Sequence, residues 1–114
     1  MLLAALATVV IASCYDGDTC TTTTGERLRL ACIDTPELRG ESAEPVPAKA
    51  ARDRLRGLVV GKKVGIRRIS KDFYGRTVAE LFIGNMNVQQ EMVTSGYAEI
   101  FWRYAHQCSW ATRR

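Results

Sequence analysis

A chain of 114 residues has the length of one domain, enough for a single hydrophobic core and too little for two. Its 46% hydrophobic and 25% charged residues exclude an intrinsically disordered chain, and no apolar run is long enough for a transmembrane helix. The 16 basic and 12 acidic residues leave a net charge of +4, a mild excess that favours a polyanionic partner without separating nucleic acid from an acidic membrane surface.

The first fourteen residues carry no charge. They allow two readings: the remnant of a secretory signal, with Ile11-Ala12-Ser13-Cys14 resembling a bacterial lipobox, or the first core strand. No Lys or Arg precedes the apolar run and Asp16-Gly17-Asp18-Thr19 follows at once, so a strand over Thr8 to Tyr15 is preferred, with residues 1–7 as a lead-in. Asp16-Gly17 supplies a hairpin turn into a second, threonine-rich strand from Cys20 to Thr24, and Gly25-Glu26 turns the chain again. From Arg27 to Ile33 the pattern alternates, with Leu28, Leu30 and Cys32 on one face and Arg27, Arg29 and Ala31 on the other. Gly40 to Pro47 reads as a loop. Pro47 then opens a helix over Ala48 to Leu58, with Ala51, Leu55 and Leu58 at helical spacing, and Gly61 ends it. Lys63 to Ile69 and Thr77 to Ile83 are the fourth and fifth strands. Asn87 caps a second helix, with Gln90 completing a capping box and Gly96 as a left-handed stop. Tyr97 to Tyr104 is an aromatic run leading into a polar tail over residues 105–114.

Two clusters carry chemistry. Asp18 follows the glycine turn, and Arg29 to Glu37 (Arg-Leu-Ala-Cys-Ile-Asp-Thr-Pro-Glu) places Asp34 and Glu37 just beyond the third strand. A second arginine arrives in Asp72-Phe73-Tyr74-Gly75-Arg76. Carboxylates to hold a hard cation, one more to activate water, and two guanidinium groups make a set suited to cutting a phosphodiester. Taken singly, each motif has an ordinary explanation: Asp-Gly is a common hairpin turn, Asp-Thr-Pro opens turns, and Glu37 could be a solvated loop acid like Glu41 and Glu44. Together, flanking an arginine-bearing strand, they favour function.

In that order the motifs resemble the staphylococcal nuclease (thermonuclease) family, over roughly residues 8 to 106. The resemblance implies a β-dominated α+β fold, a five-stranded barrel of the oligonucleotide/oligosaccharide-binding type with two helices, or two and a residual third. It implies a calcium ion held by Asp18, Asp34 and the backbone carbonyl of Thr35, Glu37 as general base, and Arg29 and Arg76 on the phosphate. Tyr74, Trp102 and Tyr104 become the candidates for substrate contact. The implied activity is calcium-dependent hydrolysis of DNA and RNA with little sequence preference, leaving 3′-phosphate ends. The sequence departs from the best-known pattern in having Phe73 where a lysine stands and Trp102 where a tyrosine stands. It also stops at Arg114, too early for a full final helix, so that either the domain is minimal, with Trp110 covering the core, or the end is trimmed. A non-catalytic binding module on the same barrel is the rival, because fold does not dictate function; all five matched acid and arginine positions are filled.

The four cysteines match no zinc signature, and the single histidine, His106, has no partner for one. They are either disulfides or buried thiols. As disulfides they allow three fully paired connectivities; in one of them Cys14 and Cys20, which flank the first turn, meet across the hairpin and Cys32 meets Cys108. That pairing goes with a secreted or periplasmic protein. A monomer is expected.

Overall fold

The computed structural model of the chain describes residues 6–112. Its elements are β1 (Ala7–Asp16), β2 (Thr19–Thr22), β3 (Arg27–Leu30), β4 (Ile33–Asp34), α1 (Pro45–Val59), β5 (Lys63–Lys71), β6 (Thr77–Ile83), β7 (Met86–Asn87), α2 (Val88–Thr94), β8 (Glu99–Ile100) and a 3₁₀ helix over Trp102–Gln107. Most of the expected lead-in, residues 1–5, lies outside the described residues.

Five strands close a barrel. The sheet runs β3-β2-β1-β5-β6, β7 adds to β6, and a parallel pairing of Leu28, Arg29 and Leu30 with Thr77, Val78 and Ala79 joins β3 to β6. Closure removes the free sheet edges that would otherwise expose unpaired backbone groups. Ile11, Leu28, Leu30, Val64 and Leu81 point inward and are fully or almost fully buried. One end of the barrel is covered by α1, whose Ala48, Ala51, Leu55 and Val59 form a single buried stripe, and by Val88 and Met92 of α2.

Three boundaries differ from expectation for identifiable reasons. The first helix starts at Pro45 rather than at Ala48, because both Pro45 and Pro47 fall in the first turn, where no backbone N–H has a helical acceptor to lose. The third strand breaks after Leu30. Cys32 adopts φ +70°, alone among the described non-glycine residues in that region, and the chain leaves the barrel there so that Ile33 and Asp34 pair with Ile100 and Glu99. Cys32 therefore does not continue the Leu28–Leu30 face. It joins a second small core with Ala31, Ala105, Cys108 and Ala111. The second strand ends at Thr22, where its hydroxyl accepts from the Glu26 N–H at 3.1 Å and holds the following turn.

Cys14 is bonded to Cys20 across the first hairpin, where the two are register partners, and Cys32 is bonded to Cys108. In α2 the Asn87 side chain accepts from the Gln90 N–H at 3.0 Å, the expected cap. Gln89 faces inward: its amide oxygen accepts from the Leu81 N–H and its amide nitrogen donates to the Ala79 carbonyl, tying α2 to β6. Glu80, also buried, receives Arg67 at 2.8 Å, Asn87 at 3.2 Å and the Trp110 indole N–H at 2.9 Å. Trp110 packs against both cores.

Candidate active site

A cavity of about 720 Å³ opens between the β1–β2 turn, the β3–β4 segment, the β5–β6 hairpin and the C-terminal 3₁₀ helix. Asp18, Arg29, Asp34, Thr35, Glu37, Tyr74, Arg76 and Tyr104 all line it. Positions up to 86 apart in the chain thus converge on one hollow. Trp102 is on the same 3₁₀ helix but is not among the residues lining this hollow.

Asp18 is the buried anchor, 7% exposed. It reaches that position because Gly17 lets the turn press against the helix: a Cβ there would lie 2.8 Å from that of Ala51 and 2.9 Å from Thr35 Cγ2. One carboxylate oxygen accepts from the Thr35 N–H at 3.2 Å and from its hydroxyl at 3.1 Å, and the other accepts from the Thr19 hydroxyl. Burial pushes the Asp18 carboxyl up to about 7; Arg29 opposes that rise and Asp16, whose carboxylate accepts from the Asp18 N–H, adds to it.

Arg29 stands between the two acids. Its Nη1 is 3.4 Å from Asp18 and donates to the Leu30 carbonyl at 2.8 Å, while Nη2 is 4.0 Å from Asp34. Its position follows from strand alternation, since the neighbours Leu28 and Leu30 turn into the core. Asp34 and Glu37 are exposed on the cavity rim, and both also line a smaller adjoining hollow of about 310 Å³.

Arg76 is held by a hairpin built around Asp72. That carboxylate accepts from the N–H groups of Tyr74 and Arg76, each at 2.9 Å, and from Arg76 Nε at 2.7 Å. Partial burial would raise the Asp72 carboxyl, but the bonds from Arg76 outweigh it and hold the group below its usual range. Gly75, at φ +78°, makes the turn, and Arg76 lies 5.5 Å over the Tyr74 ring. Also on the cavity lining, Phe101 and Tyr104 meet edge to face at 5.1 Å, and the Phe101 N–H donates to the Cys32 carbonyl at 2.8 Å. The Cys32–Cys108 bond secures that wall.

Sequence reasoning missed Asp16, Lys71, Asp72, Phe101 and Gln107 as cavity residues. Asp72 was detectable in principle, as an acid four positions before an arginine across a glycine turn. Nothing in the sequence marks Phe101 or Gln107.

The donor set suits a hard cation. Asp18 supplies a largely buried carboxyl group and Asp34 an exposed one, and both line the cavity with Thr35; carboxylate oxygens are of the kind calcium takes. Among the described residues no three Asp, Glu, His or Cys side chains gather into a protein-only metal cage. Waters and a substrate phosphate would have to complete the coordination of any ion there.

The family model described as staphylococcal nuclease homologue matches residues 27–112. An uncharacterized endonuclease of Haemophilus influenzae is 35% identical over 95 residues, 80% of this chain and 51% of that protein. An uncharacterized endonuclease of Escherichia coli O157:H7 is 33% identical over 79 residues, covering 68% of this chain and 48% of its own length. A probable staphylococcal-like nuclease of Oryza sativa subsp. japonica is 34% identical over 79 residues, 68% of this chain and 20% of that protein. The chain thus spans about half the length of these bacterial relatives and about a fifth of the plant one.

Proposed function

The chain belongs to the staphylococcal nuclease family, and from that premise we propose that it is a calcium-dependent nuclease hydrolysing phosphodiester bonds of DNA and RNA with little sequence preference and leaving 3′-phosphate ends. One observation carries the reading: Asp18, Asp34, Thr35 and Glu37 share a single open cavity with Arg29 and Arg76. A module that only bound a polyanion would gain nothing from carboxylates in its groove, since they repel the ligand.

In this reading Asp18, Asp34 and the Thr35 carbonyl hold the calcium ion, which when bound supplies charge to polarise a phosphate oxygen. Glu37, on the solvent-open rim, takes the proton from the attacking water. Arg29 and Arg76 donate to the equatorial oxygens, and their planar forks match a phosphorane better than a lysine would. The extra negative charge of the transition state makes these contacts stronger there than in the ground state. Preorganisation supports the assignment of Arg76, because Asp72 holds its Nε while the side chain lines the open cavity. The rings of Tyr74 and Tyr104, both lining the cavity, are suited to base contact, and Trp102 is an outlying candidate for it. Two disulfides support placement in an oxidising compartment, secreted or periplasmic.

The test is cleavage of plasmid and of RNA with calcium or with a chelator. The wild-type chain should degrade both only with calcium. Glu37→Gln should lower the rate by about 10²–10⁴ with little change in calcium requirement. Arg76→Ala should cost a comparable factor, and Asp34→Asn should raise the calcium needed for half-maximal rate. Wild-type rates from both Glu37→Gln and Arg76→Ala would replace this reading with the binding module.

A further inference from the structure

Phe73 is the residue that the fold leaves unexplained. It is 97% exposed, more than any other large apolar side chain among the described residues. A single exposed apolar side chain is common on protein surfaces, but this ring is set on the lining of the cavity that also holds Arg29 and Arg76. Its exposure does not come from a loose loop. The hairpin tip is pinned from both sides by the Asp72 carboxylate, by the Gly75 N–H on the Asp72 carbonyl at 3.1 Å, and by Arg27, which donates to the Tyr74 carbonyl at 2.6 Å.

The ring stands edge to face with Tyr74, centroids 5.9 Å apart and planes at 88°, and its near-complete exposure leaves ring surface open beside the tyrosine. Lys71, on the same hairpin, also lines the cavity. A flat apolar surface next to guanidinium and ammonium groups fits a ligand with alternating flat rings and anionic links.

We propose that Phe73 is a nucleobase-stacking residue of the cavity: with Tyr74 it takes one unpaired base adjoining the phosphate held by Arg76, and so biases the site toward single-stranded or locally opened nucleic acid. This rests on the nuclease reading and adds to it a residue that selects the substrate's strandedness. The physical reason is that a base within a duplex has both faces covered by its neighbours. Presenting a face to Phe73 requires unstacking, which an unpaired strand undergoes at far lower cost. Stacking involves no phosphate, so the residue should add affinity without adding salt dependence.

The experiment measures binding of three fluorescein-labelled probes to the full chain, in a Glu37→Gln background with calcium so that the strands survive. The probes are a single-stranded oligothymidylate, an abasic strand with the same number of phosphates, and a blunt duplex. Phe73→Ala should weaken binding to the oligothymidylate by between about 5- and 150-fold, the range for loss of one base–aromatic stack. Affinity for the abasic strand and the duplex should stay within about twofold, and the salt slope on the single strand should not change. Phe73→Trp should restore the affinity. Unchanged melting of the variant keeps the comparison valid, as expected for a side chain that buries nothing. The proposal is overturned if Phe73→Ala binds the oligothymidylate like its parent, or loses affinity equally for all three probes. If the wild-type chain cleaves nucleic acid while Phe73→Ala has no effect, this inference alone falls. If the wild-type chain neither binds nor cleaves, the nuclease reading falls and takes this one with it.

Discussion

The two disulfides close very different loops, and that difference can be measured. Cys14 and Cys20 are 6 positions apart, whereas Cys32 and Cys108 are 76 apart. If a bridge acts by restricting the unfolded chain, its effect grows with the logarithm of the loop. Removing the long bridge then costs about 4.5 kcal/mol and removing the short one about 2 kcal/mol. The comparison is clean in other respects. All four cysteines are buried, so Cys32→Ala/Cys108→Ala and Cys14→Ala/Cys20→Ala each delete two packed sulfurs, and their packing costs largely cancel. Alanine also keeps a Cβ at the left-handed Cys32, so the backbone is no better or worse there. The expected result is a gap of about 2 kcal/mol between the variants in urea unfolding, the long-bridge variant being the weaker. For a domain whose total stability is on the order of 5–15 kcal/mol, the long-bridge variant would approach marginal folding. Its effect should also reach the cavity, because Cys108 holds the segment carrying Phe101 and Tyr104. Variants that unfold at the same urea concentration, or a weaker short-bridge variant, would refute the loop-entropy argument. Four free thiols in protein purified under oxidising conditions would refute the bridges themselves.

Acid should weaken the fold through Glu26. Bonds from Arg68 at 2.7 and 2.9 Å hold its carboxyl at about 2 against an ordinary 4.5, with Thr77 helping. A depressed carboxyl stabilises the fold fully above its unfolded value, so this contribution is present at neutral pH and is lost as pH falls from 4.5 toward 2. Unfolding free energies measured across that window should fall less steeply for Glu26→Gln than for the wild type, and identical slopes would remove Glu26 from the account. Gly17→Ala should destabilise the chain by about 1–3 kcal/mol, because its Cβ would collide with Ala51 and Thr35 and neither the turn nor α1 can yield freely. Since Thr35 holds the Asp18 carboxylate, the calcium binding proposed above, measured by calorimetry, should weaken with it, and an unperturbed melting curve would argue against the close packing.

Much of the architecture was legible from local pattern. Alternation over Arg27–Leu30 gave a strand with arginine facing away from the core, Pro47 and the Ala51–Leu55 spacing gave α1 apart from its first turn, and Asn87 with Gln90 gave the start of α2. These features depend on neighbours in sequence, through strand alternation, helical periodicity and capping, so a short window contains their cause. Asp18, Asp34, Glu37 and Arg76 were visible locally as turn or loop residues and Arg29 as the outward residue of a strand, but nothing local showed that they would line one cavity.

Tertiary structure decided what those motifs became. Asp18 is an ordinary turn aspartate in sequence; only the approach of Thr35 and α1, permitted by Gly17, buries it and shifts its proton affinity. Cys32 continues the Leu28–Leu30 alternation on paper, yet it turns off the barrel because its partner Cys108 and the second small core lie elsewhere. Glu80 looks like a solvent-facing strand residue until Arg67, Asn87 and Trp110 are brought around it. In each case the deciding contact joins residues distant in sequence, and burial and charge compensation exist only after the chain has closed the barrel and brought them together.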